Sequence, residues 1–207
     1  MRDPDASAGA PDIGLPPDAG EILIPLARAA ISSALGEDPH YPSGQPPWLL
    51  APGASFVTLT KDRALRGCIG SLEARLPLGD DVQANAVAAA VHDPRFPPLA
   101  PAELDQVAIE VSVLSPRSPL DVTGLSQAYE KLRPGIDGVI LEVGSQHRAT
   151  FLPQVWDELP NPADFLRHLW LKAGVEAGVW HAGTRLYTYA VDAWHERPSE
   201  PDRGLRT

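Results

Sequence analysis

Residues 55–70 read SFVTLTKDRALRGCIG, and this stretch decides the fold. Residues 55–60 are rich in β-branched and aromatic side chains, which favour β-strands. Residues 61–63 form a short polar turn, and residues 64–69 run back as a second strand-forming stretch. We therefore predict an antiparallel β-hairpin at this point of the chain.

The second strand of this hairpin has two different faces, because side chains alternate between the faces of a β-strand. The alternation places Arg66, Cys68 and Gly70 on one face. It places Leu65 and Ile69 on the opposite face, where we expect them to turn towards the core. A cationic side chain and a thiol are thereby predicted to share one face.

Helices and further strands are predicted before and after the hairpin. A first helix is predicted to begin after Asp18 as N-cap, with Glu21 in the capping-box position. The apolar spacing of residues 80–92 predicts a second helix, and Asn161 as N-cap followed by Pro162 predicts the start of a third. Alternating or continuous β-branched residues predict strands at residues 107–114, 138–143, 148–152 and 186–191. This mixture predicts an α/β chain of the mixed α+β kind, with a largely antiparallel sheet flanked by helices.

Length and composition predict one folded domain with two tails. The chain has 207 residues, of which 43% are hydrophobic, and this is enough to build a sizeable core. The domain is predicted over residues 18–195. Residues 1–17 are rich in Pro, Asp, Ala and Gly, and residues 196–207 are charged and contain prolines, so both are predicted to be disordered.

Cysteine content and charge exclude several classes of protein. Cys68 is the single cysteine, so neither an intramolecular disulfide nor a zinc site of several thiolates can form. Residues 1–15 do not resemble a secretory signal, and the longest apolar stretch, residues 22–35, is too short and polar to cross a bilayer. We therefore expect a cytoplasmic protein without membrane association. A formal net charge of −10 disfavours nucleic-acid binding.

Cys68 is the first candidate for a catalytic residue. Arg66 on the same face would lower the pKa of the thiol, and it would also hold an anion or a carboxylate. Gly67 and Gly70 would let a ligand approach the backbone closely. The alternative interpretation is that Cys68 is a small buried hydrophobic residue without reactivity, which is the usual state of a lone thiol.

Three further residues are candidate neighbours of Cys68 in a substrate-binding cleft. Arg95 lies in the stiff, proline-rich segment 93–99, which either presents it for binding or pairs it with a carboxylate. Glu110 and Ser112 lie on the strand face opposite the valines, and Glu110 is either solvated or directed into a cleft. Convergent metal ligands and phosphate-binding glycine loops are both lacking, so we predict neither a metal site nor a cofactor.

Five segments of the chain occur in a characteristic order and spacing. They are GASFVTL at 53–59, LRGCIG at 65–70, DPRFPPL at 93–99, IEVSVL at 109–114 and FLPQVW at 151–156. Together they resemble the AMMECR domain family, whose bacterial and archaeal members are also called AmmeMemoRadiSam system protein A. The hexapeptide at 65–70 is the hallmark of this family.

The resemblance implies a fold and a set of partners. The fold is an α/β architecture with a larger and a smaller subdomain, and the hallmark strand lies near the cleft between them. The resemblance to the family implies no established reaction. Its composite name reflects association with Memo-like proteins, which resemble extradiol dioxygenases, and with radical SAM enzymes, so both are implied as partners.

Two functions from different classes remain open. The first is an accessory enzyme or substrate-binding component of such a modification system, using a cleft lined by Arg66 and Cys68. The second is a non-catalytic protein-protein interaction module, which docks through segment 93–99 and the hallmark strand and uses Cys68 as core packing. The two hypotheses differ in the surroundings of the Cys68 sulfur, which are polar and open in the first and apolar and enclosed in the second. The reaction and the oligomeric state stay open.

Overall fold

The structure is a computed structural model that describes residues 14–196. The described residues divide into two compact units. The first unit comprises Gly14–Val113 with residues 192–196, and the second unit comprises Leu114–Val191. Of the predicted tails, residues 1–13 and 197–207 lie outside the described residues. The architecture is α+β as predicted, and no helix within residues 14–196 is long and apolar enough to span a membrane.

A four-stranded sheet and two long helices make up most of the first unit. The strands are β1 (Pro52–Gly53), β2 (Ser55–Lys61), β3 (Ala64–Gly70), β4 (Leu76–Pro77), β5 (Val107–Leu114) and β10 (Val191–His195). One terminal residue of β5 and one of β10 belong to the second unit. The helices are α1 (Gly20–Ala34), α2 (Pro47–Leu50), α3 (Leu78–Val91) and a short 3-10 helix (Pro101–Gln106). The sheet order is β10-β5-β2-β3, and β1 pairs with β4. β2 pairs antiparallel with both β3 and β5, as the hairpin prediction requires for β3.

One face of the four-stranded sheet forms the core with the helices. Alternate residues of β2 and β5 are buried, and the same core takes in the apolar sides of α1 and α3. Its fully buried residues include Leu23, Ile31, Val57, Leu59, Val82, Ala86 and Val111. Gly67 of β3 permits a close approach of helix and sheet, because a Cβ at this position would collide with the carbonyl oxygen of Ala89 in α3.

An irregularity in the hairpin changes the predicted sidedness of β3. Leu59 pairs with Gly67, whereas the next residue, Thr60, pairs with Leu65, so Arg66 is an extra residue in β3. Such a bulge shifts the alternation of side chains by one position. The prediction that Leu65 turns to the core is therefore wrong, and its side chain is 44% exposed.

Several predicted element boundaries differ from the structure. α1 begins at Gly20, its N-cap position is Ala19, and no described side chain caps it, so the predicted cap at Asp18 is wrong. Residues 37–52 include the single-turn helix α2. The predicted strand at 186–191 proves to be parts of two strands, since the chain turns at Ala190 before β10 begins.

The second unit is built on its own antiparallel sheet. The strands are β6 (Ser118–Leu120), β7 (Gly138–Val143), β8 (His147–Phe151) and β9 (Thr184–Tyr189), in the order β6-β9-β7-β8. The helices are α4 (Leu125–Lys131), α5 (Pro162–Lys172) and a 3-10 helix (Pro153–Asp157). The rings of Trp156 and Phe165 stack in its core with their centroids 3.7 Å apart. The predicted cap of α5 is confirmed, because the Asn161 side chain accepts a hydrogen bond from the backbone N–H of Ala163.

Candidate functional site

A row of polar side chains crosses the face of the first sheet that points away from α1 and α3. Thr58 on β2 is the cross-strand partner of Cys68 on β3 and also of Glu110 on β5. The Thr58 hydroxyl donates a hydrogen bond to the Cys68 sulfur at 3.4 Å. Cys68, Thr58 and Glu110 are all half-buried. We call these three residues the polar row.

Two further side chains extend the polar row beyond Glu110. The Ser112 hydroxyl donates to one Glu110 oxygen at 3.0 Å, and Nδ1 of His195 lies 3.1 Å from the other. Glu110 and Ser112 are thus brought together on one strand face, as the alternation predicts. His195 was not a predicted site residue, because β10 was not recognised as a strand. In the sequence, β10 is indicated only by the side-chain alternation of residues 191–195.

The backbone of Cys68 is held by the side chains of Asp93 and Arg95. A carboxylate oxygen of Asp93 accepts a hydrogen bond from the Cys68 N–H at 2.9 Å, and the Arg95 guanidinium donates to the Cys68 carbonyl oxygen at 3.0 Å. Asp93 and Arg95 also bind each other through two hydrogen bonds of 2.9 and 2.6 Å. Because β3 is an edge strand, these side chains stand where a further strand would pair.

Asp93 and Arg95 are charged together over the physiological pH range. The hydrogen bonds from Arg95 hold the pKa of the Asp93 carboxyl well below its usual range, against the opposing effect of burial. The same carboxylate raises the pKa of Arg95. Arg95 therefore serves first as the partner of Asp93, although its side chain is 53% exposed.

Arg66 is occupied by groups of the chain itself. Its guanidinium donates to both carboxylate oxygens of Glu103, at 3.4 and 3.0 Å, and to the carbonyl oxygen of Pro97 at 2.9 Å. Arg66, together with hydrogen bonds from Ala100 and Lys61, lowers the pKa of Glu103 to about 2. Only 13% of the Arg66 side chain is exposed. This arrangement ties β3 to the segment 93–99 and gives Arg66 a carboxylate partner that it shares with Lys61.

Packing accounts for the two glycines of the hallmark strand. Gly67 makes room for Ala89 of α3, and Gly70 makes room for the ring of Phe56, which a Cβ at Gly70 would overlap. Both glycines thus face groups of the protein itself. Their predicted contact with a ligand has no separate support in the geometry.

Comparison with known proteins identifies the family of the chain. The model of the AMMECR1 family matches residues 24–194. The chain belongs to the AMMECR1 family. A protein of Thermofilum pendens is 38% identical over 199 residues, with 88% of this chain and 92% of the relative covered. A protein of Methanothermobacter thermautotrophicus is 39% identical over 183 residues, covering 86% and 95%.

A solved structure has the same architecture. The crystal structure of an uncharacterised protein of Pyrococcus horikoshii superposes with a TM-score of 0.75 at 34% sequence identity. The match covers 86% of this chain and 92% of the other. The α+β fold is therefore that of an AMMECR1-family protein.

In this AMMECR1-family chain the polar row, together with Ser112 and His195, offers a thiol, two hydroxyls, a carboxylate and an imidazole. The nearby arginines already have carboxylate partners in the chain, because Arg66 pairs with Glu103 and Arg95 pairs with Asp93. Within residues 14–196, no three His, Cys, Asp or Glu side chains lie close enough together to hold a metal ion. Such a surface suits a neutral or cationic polar group, which can donate to Glu110 and accept from the hydroxyls.

Proposed function

We propose that this AMMECR1-family protein binds a polar substrate on the polar row and serves as an accessory component of a modification system. The observation that carries the proposal is the surroundings of the Cys68 sulfur. Cys68 is half-buried, its sulfur accepts a hydrogen bond from Thr58, and the residue shares its strand face with Glu110. Memo-like and radical SAM proteins are proposed as partners on the family resemblance alone.

The rigid support of Cys68 favours a site over simple packing. Its backbone N–H and carbonyl are both bound by charged side chains, which fix the position of the sulfur. A binding residue held by a rigid second layer loses little freedom when its ligand arrives. Cys68 then contacts the substrate, and in an enzymatic role it is the nucleophile.

Thiol labelling of the native protein tests this proposal, because Cys68 is the single cysteine. We expect iodoacetamide to label native Cys68 at a rate within about tenfold of that in the urea-unfolded chain, as for an accessible thiol. Mass spectrometry measures the rate without interference from other thiols. Labelling slower than in the unfolded chain by about a thousandfold would mean an enclosed sulfur and would refute the site.

A complementary experiment tests the partners. An affinity-tagged chain is expressed in its host, and bound proteins are identified by mass spectrometry. We expect Memo-like and radical SAM proteins among them, and Cys68→Ala is expected to retain the partners while abolishing the modification. Unchanged modification with Cys68→Ala would remove the nucleophile role.

The alternative function is a non-catalytic interaction module, and one observation favours it. Pro94, Arg95, Pro97 and Pro98 are all exposed on a segment that Arg66 holds in place. Such a stiff segment loses little entropy on docking another protein. This function is selected if Pro98→Gly no longer binds the partners while Cys68→Ala leaves partner binding and modification unchanged.

A further inference from the structure

Glu110 of the polar row is a half-buried carboxylate without a lysine or arginine partner among residues 14–196. One of its oxygens accepts a hydrogen bond from the Ser112 hydroxyl at 3.0 Å, and the other lies 3.1 Å from Nδ1 of His195. A hydroxyl carries no charge, and a histidine carries one only when it is protonated. The negative charge of Glu110 therefore has no permanent counterpart in the described part of the chain.

Other carboxylates of the first unit show how Glu110 differs. Three of them pair with an arginine, namely Asp93 with Arg95, Glu103 with Arg66 and Glu196 with Arg28. Asp81 pairs with no cation, but it is buried and accepts hydrogen bonds from the side chains of Ser55, Ser71 and Asn85. Glu110 has fewer donors than Asp81, and 28% of its side chain is exposed. Glu110 thus keeps both an unpaired charge and an approach for a ligand.

An aromatic ring lies beside the polar row on the same face of the sheet. Phe56 precedes Thr58 by two positions on β2, so both half-buried side chains project from this face. Phe56 is the cross-strand partner of Ser112 on β5 and of Gly70 on β3. A Cβ at Gly70 would overlap three carbons of the ring. The ring therefore lies flat on Gly70 and turns its other face away from the sheet.

The ring and the carboxylate both attract a positive charge. The face of an aromatic ring is negative and binds cations. Among residues 14–196, the contacts of arginine or lysine with rings involve Phe96, Phe151 and Tyr187, and none involves Phe56. Thr58, the cross-strand partner of Glu110, donates its hydrogen to Cys68, so its oxygen keeps lone pairs for a further donor. A cationic ligand would find acceptors here and no competing cation of the described chain.

We propose that Glu110, Thr58 and the Phe56 ring bind an alkylammonium group, which is a protonated primary amine on an apolar stem. The inference rests on the proposed function, because it names the class of substrate that the polar row holds. The ammonium donates to the Glu110 carboxylate and to the Thr58 oxygen, and the stem lies on the ring. A primary amine is protonated at neutral pH, as that of lysine is. Its hydrogen bonds to a carboxylate are stronger than those of a neutral alcohol.

Titration with probes of similar size and different charge tests the inference. The probes are n-butylammonium, butan-1-ol and butyrate, each added to the full chain at constant ionic strength. The pH is 8.0, where a histidine is ordinarily uncharged. The backbone N–H signals of Phe56, Thr58 and Glu110 are followed by NMR. We expect butylammonium to bind saturably with a Kd of about 10 mM or lower, and the alcohol and the anion to bind at least about tenfold more weakly.

Three variants make the test specific to the site. Glu110→Gln removes the charge with little change in size and should weaken butylammonium binding at least about tenfold. Glu37→Gln makes the same change at an exposed glutamate of the first unit and should leave the binding unchanged. Phe56→Leu keeps an apolar side chain but removes the ring, and a loss of about two- to fivefold is expected. The backbone NMR spectrum checks that each variant is folded.

Two results would overturn the inference. They are equal affinity of the unmodified chain for butylammonium and butan-1-ol, and unchanged butylammonium binding by folded Glu110→Gln. Thiol labelling of Cys68 separates this failure from a failure of the proposed function. An accessible Cys68 without a preference for butylammonium rejects the amine and leaves the polar row as a binding surface. An enclosed Cys68 refutes the proposed function itself.

Discussion

Replacement of Asp93 by alanine should destabilise β3 and loosen the backbone of Cys68. Asp93 is a buried carboxylate, with 2% of its side chain exposed, and it accepts hydrogen bonds from the Cys68 N–H and from Arg95. Asp93→Ala removes all of these acceptors at once. The Cys68 N–H is then left without its partner at the edge of the sheet.

The magnitude follows from the exposure of the two partners. A part-buried N–H deprived of its acceptor costs about 1–3 kcal/mol. Arg95 is half-exposed, so water replaces its carboxylate and the lost ion pair adds only about 0–1 kcal/mol. We therefore expect Asp93→Ala to lower the free energy of unfolding by about 1–4 kcal/mol. Asp93→Asn keeps an oxygen acceptor and should cost less.

Urea unfolding and amide hydrogen exchange measure this effect. The exchange of the Cys68 N–H should accelerate at least about tenfold in Asp93→Ala, because its hydrogen bond is lost. Asp105→Ala is the matched control, since this aspartate is exposed and should change stability by less than about 0.5 kcal/mol. If Asp93→Ala behaves like Asp105→Ala in both measurements, Asp93 does not hold the strand.

Three more predictions concern the packing at Gly67, the exposed position of Leu65 and the pH dependence of stability. Gly67→Ala should lower the free energy of unfolding in urea by about 3 kcal/mol or more, because the new Cβ would collide with the carbonyl oxygen of Ala89. Gly124→Ala is the control and should be tolerated, because a Cβ at Gly124 has no described atom within 4 Å. Leu65→Ser should change the free energy of unfolding by less than about 0.5 kcal/mol, and a loss typical of a core leucine would contradict the bulge. The pKa of Glu103 is lowered from its ordinary 4.5 to about 2, so its contribution to stability is full above pH 4.5 and is lost as the pH falls towards 2. Glu103→Gln should reduce the slope of stability against pH in that interval, and an unchanged slope would exclude this contribution.

The strand and helix patterns depend on residues close together in the chain, and sequence reasoning predicted them well. The hairpin follows from β-branched alternation around the turn at Asp62-Arg63, where both residues take positive φ. The start of α5 follows from Asn161, whose side chain caps its own helix. The order and spacing of the five motifs likewise identify the family from the sequence alone.

Tertiary structure alone decided which groups meet at the candidate site. A single extra residue at Arg66 exposes Leu65, and alternation cannot predict a bulge because it depends on how the partner strand pairs. Cys68 is bound by Asp93, which lies 25 positions further along the chain. Glu110 meets His195 because β10 joins the sheet beside β5.

The sequence by itself thus determined the hallmark strand, its neighbouring elements and the AMMECR1-type fold, since these follow from local propensity and a recognisable order of motifs. The charge state of the site was decided only in three dimensions. Arg66, expected to hold an anion, pairs with Glu103, which lies 37 positions further along the chain. Arg95 pairs with Asp93 of its own segment, which is one of the two alternatives that the sequence left open. Long-range packing sets which carboxylate Arg66 meets, and no local pattern contains that information.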